Sequence, residues 1–252
     1  MLRNIALLIL FTSMLPSCIP PSGQNNLVQE FYMDGSLKST SEVKNGMRNG
    51  ITKNFDEKGR LLSTCEYVDD KRNGWLVNYN PEIGKVITKV MFRDDLQDGP
   101  LVMNYQEGML FRESNYTNGR VNGLVKTYWP NGKLKAQVHF KMGMPGNDLK
   151  EYDKEGKEIV QPQLIIEKAT TQKNSIKIYL SDHSTDFEVY VSELKDDMYF
   201  LENTGRLRVE NGVCLFDYVM VKQRASNRGF SIVVKAKTKL SNTLILQKWV
   251  KI

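Results

Sequence analysis

Few residues of this 252-residue chain have the types and spacing that chemistry needs. There are two histidines. His183 sits in the run Ser181-Asp182-His183-Ser184, where a hydroxyl, a carboxylate and an imidazole are neighbours in sequence. Nucleophilic catalysis requires such groups to converge from separate elements, with the base oriented by a third residue, so the run reads as a polar turn. His139, between Val138 and Phe140, takes an outward strand position without metal-ligand company. Cys65 and Cys214 fall in apolar settings and read as packed thiols; in an exported chain a disulfide between them, crossing domains, is the alternative. Cysteine-pair zinc spacing, a glycine-rich phosphate loop and paired catalytic carboxylates are all missing from the sequence. The expectation is a protein that is not an enzyme and has no cofactor and no metal.

The elements that must position every side chain are repeats. Turn glycines recur about every 24 residues, at Gly35, Gly59, Gly84, Gly108, Gly132 and Gly156. An aromatic residue precedes each one, at Phe31, Phe55, Tyr79, Tyr105, Tyr128 and Tyr152. An apolar residue follows, at Leu37, Leu61, Val86, Leu110 and Leu134, with Ile159 in the last copy. A second apolar column holds Val43, Tyr67, Phe92, Tyr116 and Phe140, and a second turn comes next, Asn45-Gly46 in the first copy and Asn118-Gly119 in the fourth. Asn-Gly accepts positive φ at both central positions and is a strong hairpin signal. In the fifth copy Leu134, Ala136, Val138 and Phe140 alternate with Lys133, Lys135, Gln137 and His139, the period of a half-buried strand. One copy is therefore one hairpin, and connections too short for a crossover helix require antiparallel neighbours. The predicted architecture is all-β: an elongated antiparallel hairpin sheet over residues 28–160.

Periodic units of this length bury their apolar surface by stacking on one another. The order aromatic, Gly-x-Leu, aromatic, Asn-Gly-x-x-x-Gly resembles the bacterial variant of the MORN repeat. Copies two and three depart from it, because Asp70 and Asp95 replace the first glycine of the second turn, which predicts a different turn geometry there. The sixth copy lacks its second half. The resemblance implies binding of proteins or lipids without chemistry. Many bacterial proteins with this variant carry an antitoxin-family label, so neutralisation of a specific toxin is an alternative function.

The amino terminus reads MLRNIALLILFTSMLPSC. Arg3 and the apolar stretch Ile5 to Leu15 form a signal peptide, 1–17, well short of the roughly 20 residues of a membrane-spanning helix. Leu15-Pro16-Ser17-Cys18 resembles a lipobox, in which the Cys18 thiol accepts a diacylglyceryl group; acyl chains gain about 0.8 kcal/mol per buried methylene and would anchor the chain in a membrane. Residues 18–27 then form a polar tether. Ile19 lacks the aspartate that marks inner-membrane retention in some bacteria, so in a host with two membranes the expected address is the periplasmic face of the outer membrane. That exported address excludes nucleic acid as a partner despite a net charge of +6.

After Gln161-Pro162-Gln163 the repeats stop. Seven or eight short strand-like runs within 163–252 predict a small immunoglobulin-like β-sandwich, with a small barrel as the alternative. Tyr32 and Trp129 stand in a column filled elsewhere by Asp56, Asn80, Gln106 and Asp153. Two readings of them stand side by side. They are anchors of a binding surface, where Trp and Tyr are enriched, or they pack, Tyr32 beneath the tether and Trp129 beneath the second domain. Trp75, in the column of Ile51, Pro100 and Leu124, reads as core. The function expected is a lipid-anchored envelope scaffold that binds another envelope protein through its repeat sheet, with a glycan- or lipid-binding sandwich as a further alternative.

Overall fold

The computed structural model describes residues 25–170, 172, 174–201, 205–219 and 229–251. Cys18, the signal peptide and most of the tether lie outside the described residues. Among the described residues no helix is long and apolar enough to cross a membrane.

The repeats form one 13-stranded sheet. Its strands are β1 (Asn25–Phe31), β2 (Leu37–Lys44), β3 (Met47–Phe55), β4 (Leu61–Val68), β5 (Lys71–Tyr79), β6 (Val86–Arg93), β7 (Leu96–Asn104), β8 (Leu110–Thr117), β9 (Arg120–Val121), β10 (Gly123–Tyr128), β11 (Leu134–Lys141), β12 (Met144–Pro145) and β13 (Lys150–Glu151). β1 to β8 pair strictly in chain order, each antiparallel to the last. Every first-turn hairpin carries a register shift, at Glu30/Phe31, Asn54/Phe55, Asn78/Tyr79, Met103/Asn104 and Thr127/Tyr128. Bulges recurring once per repeat add twist at regular intervals.

A second bulge column faces the glycines Gly50, Gly74 and Gly99, whose φ values are 119–123°. A Cβ at Gly50 or Gly74 would stand 2.8 Å from the Cβ of Glu42 or Glu66, so a side chain fits neither the backbone nor the space.

The second turns correct the sequence expectation. Asp69-Asp70 (φ 47° and 65°) and Asp94-Asp95 (φ 47° and 66°) adopt the same left-handed pair as Asn45-Gly46 (φ 53° and 81°) and Asn118-Gly119 (φ 49° and 76°). The steric cost of aspartate there is offset by arginines of the preceding repeat. Arg48 Nε donates to Asp70 Oδ1 at 3.0 Å and Arg72 Nε to Asp95 Oδ1 at 2.9 Å, while the backbone N–H of each arginine donates to the same carboxylate. Where the next turn has glycine instead, the arginine position is Gln97 or Val121.

The chain continues into seven further strands: β14 (Leu164–Lys168), β15 (Ser175–Leu180), β16 (Phe187–Val191), β17 (Arg206–Leu207), β18 (Cys214–Asp217), β19 (Phe230–Lys237) and β20 (Thr243–Val250). They make a three-stranded sheet, β14-β15-β18, facing a four-stranded one, β17-β16-β19-β20, across a core of Ile178, Leu180, Val189, Cys214, Ile232 and Val234. This is the expected small sandwich. The run Tyr199 to Leu201 is not one of its strands; Tyr190, Leu194, Phe200, Val233 and Ile245 form a second cluster on the far side of the four-stranded sheet. β19 is thus buried on both faces, which explains its unbroken FSIVV run.

The sandwich core does not stop at the sandwich. Ala136, Val138 and Leu149 of the last repeats belong to the same cluster as Ile178 and Val234.

Candidate functional site

The register divides the repeat sheet into two faces. Ser39, Thr52, Cys65, Val90, Leu101, Ser114, Val125, Ala136 and Val138 fall on one, the inner face, and all are buried. Its composition changes along the sheet. The first repeats line it with hydroxyls and amides that bond across strands, Thr52 Oγ1 to Ser41 Oγ at 3.0 Å and Asn54 Nδ2 to Ser63 Oγ at 2.9 Å. Later repeats line it with Val90, Leu101, Val125 and Val138, and over β11 the sandwich covers it. Trp75 is on the other, outer face with Ile51 and Leu124, under the Lys89 ammonium at 4.1 Å, and is not core. The sequence column was sound; only its side was misread, because both faces of a half-polar sheet carry scattered apolar residues.

Tyr32 and Trp129 are half-buried, and their polar atoms are engaged within the chain. Tyr32 Oη donates to the Phe55 carbonyl at 2.7 Å and Trp129 Nε1 to the Tyr152 carbonyl at 3.0 Å. Tyr105 Oη makes the same bond to the Tyr128 carbonyl at 2.7 Å. Each bond spans 23 residues, from one first turn to the next repeat. Trp129 also has Lys135 Nζ 4.7 Å and Lys154 Nζ 5.7 Å from its ring centroid. Its packing partner is the sixth copy, not the sandwich.

Tyr105 therefore belongs to the column of Tyr32 and Trp129, and Asn104 takes the aromatic position. The turn bonds show this: Tyr105 N to Met109 O and Gly108 N to Tyr105 O match Tyr32 N to Ser36 O and Gly35 N to Tyr32 O. The signal was present in the sequence, since Tyr105 is three residues before its glycine whereas Phe31 is four before Gly35. Residues with a carboxylate in this column turn inward on their own loop instead; Asp56 Oδ1 accepts the N–H groups of Lys58 and Arg60.

The chemistry-bearing residues stay apart. Ser184 Oγ donates to Asp182 Oδ2 at 2.7 Å, and His183 (φ 58°) stacks on Tyr179 with centroids 6.2 Å apart. His139 Nδ1 lies 2.6 Å from Asp148 Oδ2 and ties β11 to the segment that leaves it. Cys65 and Cys214 are separate buried thiols rather than a disulfide, one in the repeat sheet and one in the sandwich core. Burial pushes the Cys214 thiol up to about 11. Among the described residues no three His, Cys, Asp or Glu side chains gather as metal ligands.

Two features have no counterpart in the sequence reading. Glu151, on the inner face opposite Ala136, is 1% exposed. Its carboxylate accepts from Thr238 Oγ1 and Asn242 Nδ2 at 2.6 Å each and from Gln161 Nε2 at 3.0 Å, joining repeats, linker and sandwich. A cavity of about 330 Å³ adjoins it, between Ile159 to Pro162 and Thr238 to Leu240. The second feature is on β8, where Arg112 Nε and Ser114 Oγ are enclosed without a hydrogen-bond partner among the described residues.

The family model described as the MORN repeat variant matches residues 121–142, which span β9 to β11. The chain thus contains a MORN repeat variant, and the other hairpins repeat its turn and bulge geometry around it. No curated protein matches this sequence.

Proposed function

We propose that this chain is a non-catalytic protein-interaction scaffold of the bacterial envelope, held to a membrane through acylated Cys18, that presents the inner face of its repeat sheet to another protein. The observation that carries the reading is the uneven cover of that face. The sandwich packs on Ala136, Val138 and Leu149, while β2 to β8 carry no second layer among the described residues; there Thr52, Cys65, Val90 and Leu101 are buried within the sheet, and the half-buried Asn54, Asn78 and Met103 are the surface a partner would meet. A β-sheet ordinarily buries one face against another element. The turn edges, by contrast, are already bonded from repeat to repeat, which leaves the broad face as the surface for a partner.

Site-specific photocrosslinkers test the reading in intact cells. Placed at Asn54 or Asn78 on the inner face, they should trap one envelope protein; placed at Thr64 on the outer face they should not. Trapping from the outer face alone, or from neither, would refute the scaffold. The anchor is tested separately by Cys18→Ser, which should release the chain from membranes and abolish acyl labelling; continued membrane association would remove Cys18 from the proposal.

A further inference from the structure

We infer that a cavity on the sandwich, lined by Glu193, Asp197, Ser231, Gln247 and Trp249, receives an arginine side chain of another protein. It lies apart from the repeat sheet, so the inference does not depend on the scaffold reading. Its floor follows from strand register. Ser231 pairs with Trp249 and Val233 with Gln247, which puts all four side chains on the far side of the four-stranded sheet, beside the Val233 and Ile245 cluster. Trp249 is 52% exposed there. Its indole is seated against Gly229 (φ 131°), where a Cβ would stand 2.9 Å from Trp249 Nε1, so glycine makes room for the ring. The wall is the covering segment that leaves β16. Ser192 N donates to the Ser231 carbonyl at 3.1 Å, which brings Glu193 beside the floor, and a turn closed by Lys195 and Tyr199 carries Asp197. The cavity measures about 390 Å³, at the small end of ligand sites and enough for one long side chain.

The molecule shows twice what such a constellation takes. Asp196-Asp197 (φ 53° and 54°) is a third aspartate pair in the left-handed conformation, after Asp69-Asp70 and Asp94-Asp95. In both earlier pairs the second carboxylate holds an arginine whose guanidinium lies over an aromatic ring. Arg48 joins Asp70 to Tyr67, with Cζ 3.9 Å from the ring centroid, and Arg72 joins Asp95 to Phe92, at 4.2 Å. At the third pair the carboxylate and the ring share a cavity, and no arginine joins them among the described residues. Lys141 neutralises Asp196 at 2.6 Å, but neither the Asp197 nor the Glu193 carboxylate has a partner among the described residues. Trp75 and Trp129 lie under lysine ammonium groups, whereas no cation of the described residues stands over Trp249. Gln247 Nε2 donates to Ser231 Oγ at 3.1 Å, leaving the Gln247 carbonyl oxygen as a further acceptor. Two carboxylates and an amide oxygen beside an exposed indole match a ligand that is cationic, rich in donors and flat. Guanidinium has five N–H groups in one plane and stacks on aromatic faces, while an ammonium is compact and more strongly hydrated.

The test uses the full chain and a short dye-labelled glycine-serine peptide with one central arginine, beside versions with lysine and with citrulline, which keeps the shape of arginine without its charge. Arginine should bind at least about tenfold more tightly than citrulline and several-fold more tightly than lysine. Trp249→Leu and Asp197→Asn should each lower affinity about fivefold or more. Thermal stability should not change, because Trp249 is exposed and asparagine keeps the left-handed turn. Asp196→Asn removes the same charge from the same turn, where Lys141 already answers it, and should alter affinity less than about twofold. Equal losses in Asp196→Asn and Asp197→Asn would mean attraction to net charge alone and overturn the site. Equal affinity for the lysine or the citrulline peptide, no binding of any of the three, or Trp249-dependent binding of N-acetylglucosamine oligomers without peptide binding would overturn it too. So would binding that appears only in Arg228→Gln, since the chain's own arginine would then be the occupant. Inner-face photocrosslinking reads the scaffold, and none of these variants touches that face, so the two readings fail separately.

Discussion

The first three repeats and the sandwich are both antiparallel β-structure, yet different forces hold them. The sandwich has an aliphatic interior in which Ile178, Val189, Ile232, Val233 and Val234 are fully enclosed. The early repeats have hydroxyls and amides where such a core would be. Their order comes from contacts between turns one repeat apart: Tyr32 to Phe55, Arg48 to Asp70, Arg60 to Glu82, Arg72 to Asp95. Stability in such a stack is close to a sum of nearest-neighbour terms, whereas a closed core melts as a unit. The polar half can therefore stand as a single layer, and the apolar half gives it a fixed end.

The contrast can be broken most severely at Glu151. Glu151→Ala removes the shared buried acceptor of three half-buried donors and should cost about 3 kcal/mol, because Thr238, Asn242 and Gln161 lose their common partner. Urea melts should then separate into two transitions, the repeats losing structure first; a single transition with unchanged midpoint would show that the junction does not hold the halves together. A smaller effect is expected in the first-turn ladder. Trp129→Phe and Tyr105→Phe should each cost about 1 kcal/mol by deleting one hydrogen bond to the next repeat. Amide exchange should rise locally around Tyr152 or Tyr128, and uniform change across the sandwich would contradict nearest-neighbour coupling.

The mildest perturbation acts at the second turns. Bonds from the Arg48 backbone N–H and then its side chain hold the Asp70 carboxyl below its usual value; for Asp95 the Arg72 side chain comes first. A lowered folded value means that this stabilisation is present above the unfolded value of about 3.9 and disappears as pH falls through the folded one. The double variant Asp70→Asn with Asp95→Asn should lower Tm modestly at pH 7 and flatten its dependence on pH below about pH 4, where variant and unaltered chain converge. Asp70→Gly should be more stable than Asp70→Ala, since glycine accepts φ of 65° without strain. The reverse order would mean that the left-handed backbone is not what constrains this position.

Much of the fold was legible because hairpin signals are local. Asn45-Gly46, the 24-residue spacing of glycines and the alternation from Leu134 to Phe140 each depend on a few adjacent residues, and the sheet follows from their repetition. The sandwich was legible from its eight apolar runs, of which Tyr199 to Leu201 proved to be a covering segment because burial, not pairing, keeps Phe200 apolar. The site was less accessible. The turn column containing Tyr32 and Trp129 was visible, but its third aromatic, Tyr105, was hidden by a one-residue displacement, and nothing in the sequence says that the heteroatoms of all three point along the stack. Replacement of glycine by Asp70 and Asp95 looked like a change of turn, when the compensating arginines lay 22 and 23 residues earlier.

The sequence by itself determined the hairpins, their number and order, and the change from repeats to a different β-unit near Pro162, because φ preferences and side-chain alternation act within a few residues. Only the tertiary structure decided which face is inner, which carboxylate is enclosed at the junction and which arginine nitrogen is sealed in the sheet without a hydrogen-bond partner. Those outcomes depend on what stands opposite a side chain across strands 20 to 90 residues away in sequence, as Glu151 meets Asn242 while Arg112 Nε meets no acceptor among the described residues.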